Sequence, residues 1–167
     1  MSERKRNPMR VRRTPIKQKE AKRIIEEVSK SGVELGSGKF ELAEIMQQGG
    51  TRILVLDREP VLVMTEAHET VPFISAYGTR IRCPHIRVDE RAVPHIVSGA
   101  DVMIPGITSY EEFKEGDAVV TLDPEDHAIA SGIALLGSSE LRQTGKGRAI
   151  RSIHWLGDER CKMAETL

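Results

Sequence analysis

Cysteine is scarce in this 167-residue chain: Cys83 and Cys161 are its only two. That is too few for a disulfide framework and fits a reducing compartment. Aromatic residues make up only 4%, one Trp, two Tyr and three Phe, which argues against reading several bases by stacking. No apolar run approaches the length of a membrane span, and the basic opening MSERKRNPMRVRR is not followed by an apolar segment, so neither a span nor a secretory signal is predicted. The expected location is the cytoplasm. What remains is 39% hydrophobic and 30% charged, the make-up of a soluble globular protein with one ordinary domain or two small ones.

The chain has no net charge, yet its charges are unevenly spread. Residues 1–30 hold eleven Lys and Arg against four Glu, net +7, whereas residues 84–159 hold seven against thirteen acidic residues, net −6. A basic end of this kind contacts a polyanion or solvates a flexible leader.

Thr14-Pro15 followed by IKQKEAKRIIEEVSKSG predicts a capped helix with proline at its first position, Gly32 beyond its end, and Ala21, Ile24, Ile25 and Val28 on one face. TRILVLD and VLVMTE predict a buried antiparallel hairpin, KFELAEIM is assigned to strand with them, and VPFISAYG is a short helical turn ending at Gly78. From Arg80 onward the segments shorten. RIRCPHIRV is a strand interrupted at Pro84, and Asp89 caps a helix in ERAVPHIVSG. Pro94 there requires that the helix either begin at that point or bend. ADVMIPGI, GDAVVTLD, HAIASGIALL and AIRSIHWLGD add short extended runs, a pattern that suggests a small barrel or sandwich.

Enzymatic chemistry finds little support. Among five histidines, only Cys83-Pro84-His85 brings two metal-ligand types together, with no second pair at zinc spacing. Asp123, Glu125 and Asp126 read as a turn rather than a cation site. Gly-x-Ser-x-Gly and the dinucleotide glycine fingerprint are missing, and Gly145-Lys146-Gly147 is not a P-loop. No catalytic residue and no cofactor or metal is assigned.

The ordered set VDERAVPHIVSGADVMIPGI, EGDAVVTLD, AIASGIALLGSSEL and GKGRAIRSIHWLGDE resembles the PUA domain over roughly residues 80–159. With a smaller α/β portion ahead of it, the whole chain resembles the archaeal and eukaryotic ribosome-associated PUA proteins that include the MCT translation factors. The resemblance implies an α+β fold: a basic leader over 1–13, expected to be flexible, a pre-PUA domain over 14–79, a PUA β pseudo-barrel over 80–159, and a C-terminal tail over 160–167. It also implies a non-catalytic RNA-binding protein of the translation apparatus. The expected partner is RNA, either the tRNA acceptor end or small-subunit rRNA, together with a companion translation factor; the alternative is an adaptor that binds protein only.

By the same resemblance, RNA lies along the helix, the turn after it, and the final strand, so Gly99, Asp101, Met103, Pro105 and Gly106 are candidate contacts. Lys146 and Arg148 add cations in an otherwise acidic region. If the last strand alternates regularly, Arg148, Ser152 and His154 share one face, with Ile153 and Trp155 packing inward on the other. His154 joins the candidate set on that basis.

Overall fold

The computed structural model describes residues 10–36 and 38–167. Its first half comprises β1 (Arg12–Pro15), α1 (Gln18–Ser29), β2 (Glu34–Leu35), β3 (Ala43–Gln48), β4 (Thr51–Leu56), β5 (Glu59–Met64) and β6 (Thr70–Pro72). Strands β1, β3, β4, β5 and β6 form one antiparallel sheet in that order. The predicted hairpin is β4–β5. Its two-residue loop, Asp57 (φ 50°) and Arg58 (φ 67°), adopts the left-handed pair whose twist suits a tight hairpin. Asp57 Oδ1 accepts the amides of Leu42 and Glu41, each at 2.9 Å, and these bonds hold its carboxyl below the ordinary 3.8.

One expectation fails at the N-terminus, and a second meets the structure only in part. Thr14 and Pro15 do not open a helix; they lie in β1, opposite Ile45 and Glu44, and α1 starts at Gln18 without a side-chain cap. The local capping signal loses to tertiary pairing with β3, and proline is tolerated because β1 is an edge strand. Of the expected leader, residues 1–9 lie outside the described residues, while Arg12 and Arg13 belong to β1.

The second half runs through β7 (Ile81–Arg82), β8 (His85–Val88), α2 (Val93–Ile96), β9 (Val102–Met103), β10 (Ile107–Tyr110), β11 (Ala118–Leu122), β12 (Ala128–Ala134), α3 (Ser138–Thr144), β13 (Arg148–Trp155) and α4 (Glu159–Ala164). Six of these strands form a sheet in the order β10-β8-β11-β12-β13-β9. Its two outer strands, β9 and β10, are joined by a single 3-10 turn at Ile104–Gly106. The sheet's ends therefore meet, and a nearly closed pseudo-barrel results. Pro94 lies in the first turn of α2, where its missing N–H removes no intrahelical bond, and Asp89 Oδ1 accepts the Ala92 amide at 2.9 Å just ahead of it.

Each half has its own apolar core. Ile53–Leu56 of β4 and Val61–Met64 of β5 centre the first, with Ala21 and Val28 from α1. Ala118, Ile153 and Met163 reach into it from the second half. Met163 belongs to α4, so the segment expected to be a tail is a packed helix, capped by Asp158 Oδ1, which accepts the Cys161 amide at 2.9 Å. Ile86, Val88, Ile96, Val102, Val119 and Ile150 are among the residues filling the barrel core. Across the seam, Ser131 Oγ donates to the Pro72 carbonyl at 2.7 Å, and Arg151 pairs with Glu69.

Candidate nucleic-acid interface

A groove of about 680 Å³ opens between α2, β9 and the start of β13. Arg91 and His95 come from the α2 segment, Asp101 and Met103 from the chain after it, and Arg148 from β13; Asp89, Pro105 and Gly106 complete the wall. Five residues expected from sequence thus converge here: Asp101, Met103, Pro105, Gly106 and Arg148. They meet because β9 pairs antiparallel with β13, setting Met103 opposite Arg148, and because the Ile104 amide donates to the Gly147 carbonyl at 2.9 Å. That second bond ties the Gly145–Gly147 loop, and exposed Lys146 with it, to the groove's edge.

The carboxylates in this groove are occupied with structure. Asp89 caps the approach to α2. Asp101 accepts the Ser152 amide through Oδ1 at 2.9 Å and the Arg148 guanidinium through Oδ2 at 3.1 Å. Asp101 therefore anchors β13 and aims Arg148, whose side chain remains 61% exposed. Arg91 and Lys146 have no carboxylate partner among the described residues. Met103, 48% exposed, adds an apolar surface to the groove that Arg91 and Arg148 line. A cationic rim around an apolar, solvent-facing floor suits a polyanion that also presents flat apolar groups.

Gly99 does not line this groove. With φ +97° it closes α2: its amide donates to the Ile96 carbonyl, and the Ala100 amide to that of His95, each at 3.0 Å. A Cβ on it would stand 2.9 Å from Cζ2 of Trp155. Space beside Gly99 is thus filled by the indole, which packs the helix end onto the last strand. At Gly106 a Cβ would approach Ala92 Cβ to 3.2 Å, so absence of a side chain lets the 3-10 turn sit against α2.

His154 is a correction. Its exposure is 0%, and it cannot face a bound polymer. Regular alternation fails along β13 because the pairing with β12 steps from Gly132–Ser152 to Ser131–His154, leaving Ile153 as an extra residue. Such a bulge re-aims the side chains that follow it. Buried His154 instead stacks on Phe73, ring centroids 4.5 Å apart, and its Nδ1 lies 2.8 Å from Asp158 Oδ2. Burial opposes the charge on Asp158, but His154 and the amides of Trp155 and Cys161 outweigh it and hold that carboxyl below 3.8. His154, Asp158 and Cys161 place donor atoms within 4.8 Å of one another. Asp158 spends both oxygens on hydrogen bonds, and burial pushes the Cys161 thiol up, so the group reads as the cap of α4.

Among the described residues, Cys83 and His85 belong to no group of three such side chains. Burial pushes the Cys83 thiol up to about 12, and His85 Nδ1 lies 2.6 Å from Glu111 and 2.9 Å from the Tyr77 hydroxyl. Sequence reasoning missed Arg91 and His95. The signal was present: with Ala92, Val93, Ile96 and Val97 apolar, the opposite side of α2 carries those two residues.

The helix, glycine-ended turn, short strand and bulged closing strand define a PUA domain, and the model of that family matches residues 84–156. The uncharacterized protein MJ1432 of Methanocaldococcus jannaschii is 33% identical over 111 residues, covering 64% of this chain and 67% of that one. Translation machinery-associated protein 20 of Schizosaccharomyces pombe is 29% identical over 135 residues, 75% of this chain and 73% of that one. A conserved PUA domain protein from Thermoplasma acidophilum shares the fold with a TM-score of 0.74 and 29% identity, over 90% of this chain and 98% of that one. The chain belongs to the family of PUA proteins that includes these translation machinery-associated proteins and the malignant T-cell-amplified sequence proteins.

Proposed function

We propose that the protein is a non-catalytic RNA-binding component of the translation apparatus that holds the acceptor end of tRNA, or a single-stranded element of small-subunit rRNA, in the groove between α2, β9 and β13. The observation that carries this reading is a groove lined by Arg91, Arg148 and exposed Met103, with Lys146 in the loop at its edge, in a domain otherwise rich in carboxylates. Family membership supports it, and so does the relation to proteins named for the translation machinery. Lys146, Arg148 and Arg91 contact phosphates, while Met103, Pro105 and Gly106 form the surface against which nucleotides lie. Gly99 and Asp101 act one step back, setting the helix end and the aim of Arg148.

Filter binding or anisotropy with tRNA and with small-subunit rRNA tests the proposal. Changing Lys146 and Arg148 together to Glu is expected to weaken binding to every RNA by about tenfold or more at low salt, and to flatten the salt dependence, as removal of phosphate-binding cations does. Unchanged dissociation constants, with the variant's melting temperature preserved, would remove the groove as the RNA site.

A further inference from the structure

We propose a second RNA contact: the cleft on the far side of β13, between that strand and the β3–β4 and β5–β6 loops, seats one unpaired nucleobase against Trp155. The proposal rests on the RNA-binding reading above and extends it to a site of different chemistry.

This cleft encloses about 490 Å³, within the roughly 300–1,000 Å³ of small-molecule sites. Thr51 and Thr65 line it from the first half, and Arg151, Ser152, Trp155 and Arg160 from the second. Two residues of its wall carry a buried polar atom with no hydrogen-bond partner among the described residues, Ser152 Oγ and Arg160 Nε. Buried polar groups are rarely left unmatched, and two on the wall of one cleft suit a ligand with both donors and acceptors once their side chains turn toward it. The aromatic wall is equally specific. Trp155 is the chain's only tryptophan, it lies half-buried, and the Arg160 guanidinium carbon stands 5.9 Å from its ring centroid.

Charge decides what part of a nucleic acid would enter. Arg151 is already paired with Glu69, Arg160 leans toward Asp158 at 3.8 Å, and Glu66 stands at the mouth. Both of its cations thus stand beside carboxylates, whereas Arg91 and Lys146 at the first groove have no carboxylate partner among the described residues, and this contrast suits the cleft to a neutral heterocycle with hydrogen-bonding edges. Phosphate chemistry is left to Lys146 and Arg148 on the other side of the strand. The two sites are contiguous: Asp101 of the first groove holds the amide of Ser152 in the second, and Trp155 packs against Gly99 at the end of α2. From Arg148 to Arg151 the strand advances about 10 Å at roughly 3.3 Å per residue. A single RNA strand crossing β13 can touch both.

The experiment uses the whole protein and two RNAs, a tRNA acceptor-stem hairpin with its unpaired 3′ nucleotides and the same hairpin ending flush. Trp155 fluorescence at saturation and the dissociation constant are read for each. For the parent, the unpaired end is expected to quench Trp155 and the flush hairpin is not. Converting Glu69 and Arg151 together to Gln should remove the quench and weaken binding of the unpaired end by about tenfold, the scale of one stacked base, leaving the flush hairpin unaffected. Ser152→Ala, a smaller change that avoids the seam ion pair, should weaken the unpaired end in the same selective way. Lys146→Glu with Arg148→Glu should weaken both RNAs yet keep the quench at saturation. If the parent binds both RNAs with no change in Trp155 emission, or if the cleft variants bind like the parent, the cleft seats no base while the groove reading stands. If the parent binds neither RNA, both readings fall.

Discussion

The two sheets of this protein are built to different tolerances. In the first, the ladders β1–β3, β3–β4 and β5–β6 run in unbroken register, and only β4–β5 slips. In the barrel, register shifts interrupt β8–β10, β11–β12, β12–β13 and β13–β9. An open sheet backed by a helix has no need to bend sharply, whereas a sheet of six short strands must curl to bring β9 and β10 together. Bulges supply that curvature, and each one turns the following side chains. Curvature and function are thereby coupled. Ahead of the shifts in β13, Arg148 faces one groove; after them, His154 lies in the interior and Trp155 against the end of α2.

The largest contrast should appear at glycines. At Gly132, beside the bulge in β12–β13, a Cβ would overlap the Arg151 carbonyl oxygen, a backbone atom with little freedom to move. Gly132→Ala is expected to destabilise by about 3 kcal/mol. Gly49, in the β3–β4 turn, has φ +58°, with no atom of the described residues within 4 Å of its added Cβ. Gly49→Ala should lose only the left-handed backbone penalty, about 1 kcal/mol. Equal losses in denaturant melts would mean that the barrel is no more tightly constrained than the open sheet.

Next come the two carboxylates that fasten each half. Asp158 is 5% exposed and accepts hydrogen bonds at both oxygens. Asp158→Asn must turn an NH2 toward another donor, and about 3 kcal/mol of stability is expected to go at pH 7. Because the folded-state pKa of Asp158 lies below the ordinary 3.8, its contribution is fully present above that value. It fades as pH falls through the lower, folded-state value. The gap between parent and variant should therefore close in acid; a gap that widens there would contradict this assignment. Asp57→Asn, in the exposed β4–β5 turn, should show the same direction with a smaller loss.

Gly99→Ala sharpens the comparison at the join between helix and strand. It combines a positive φ with a 2.9 Å approach to Trp155, and about 2 kcal/mol of destabilisation is expected. The sole tryptophan should change its emission maximum as it is displaced. Unaltered emission and stability would show that the indole does not depend on the glycine.

The smallest effect belongs to the first nine residues. Deleting 1–9 removes Arg4, Lys5 and Arg6 with Glu3 and leaves β1 whole, whereas deletion as far as Thr14 would cut into it. Stability should not change. The slope of log affinity against log salt should fall by about 0.7 for each phosphate of a single strand that is no longer neutralised, and an identical slope would show that these residues do not touch RNA.

What could be read in advance follows the same division. The β4–β5 hairpin, the helical face of Ala21 and Val28, and the order of the barrel segments were visible because each depends on local periodicity or turn chemistry. Strand β1 was hidden, since its pairing partner lies some thirty residues away and its sequence carries a stronger local helix signal. His154 was misplaced because alternation says nothing about a bulge, whose position is set by the neighbouring strand. Ser152, which alternation set on the face of Arg148, lines the other cleft. Helix α4 carried an N-cap Asp158 and a buried Met163, but six residues give too short a period to read.

A cross-linking map of bound tRNA tests the central claim most directly, with mass spectrometry locating the attached peptides. The account predicts adducts on the segment from Arg91 to Gly106 and on Lys146 to Trp155. Adducts confined to α1 and β1, with those two segments clean, would contradict it.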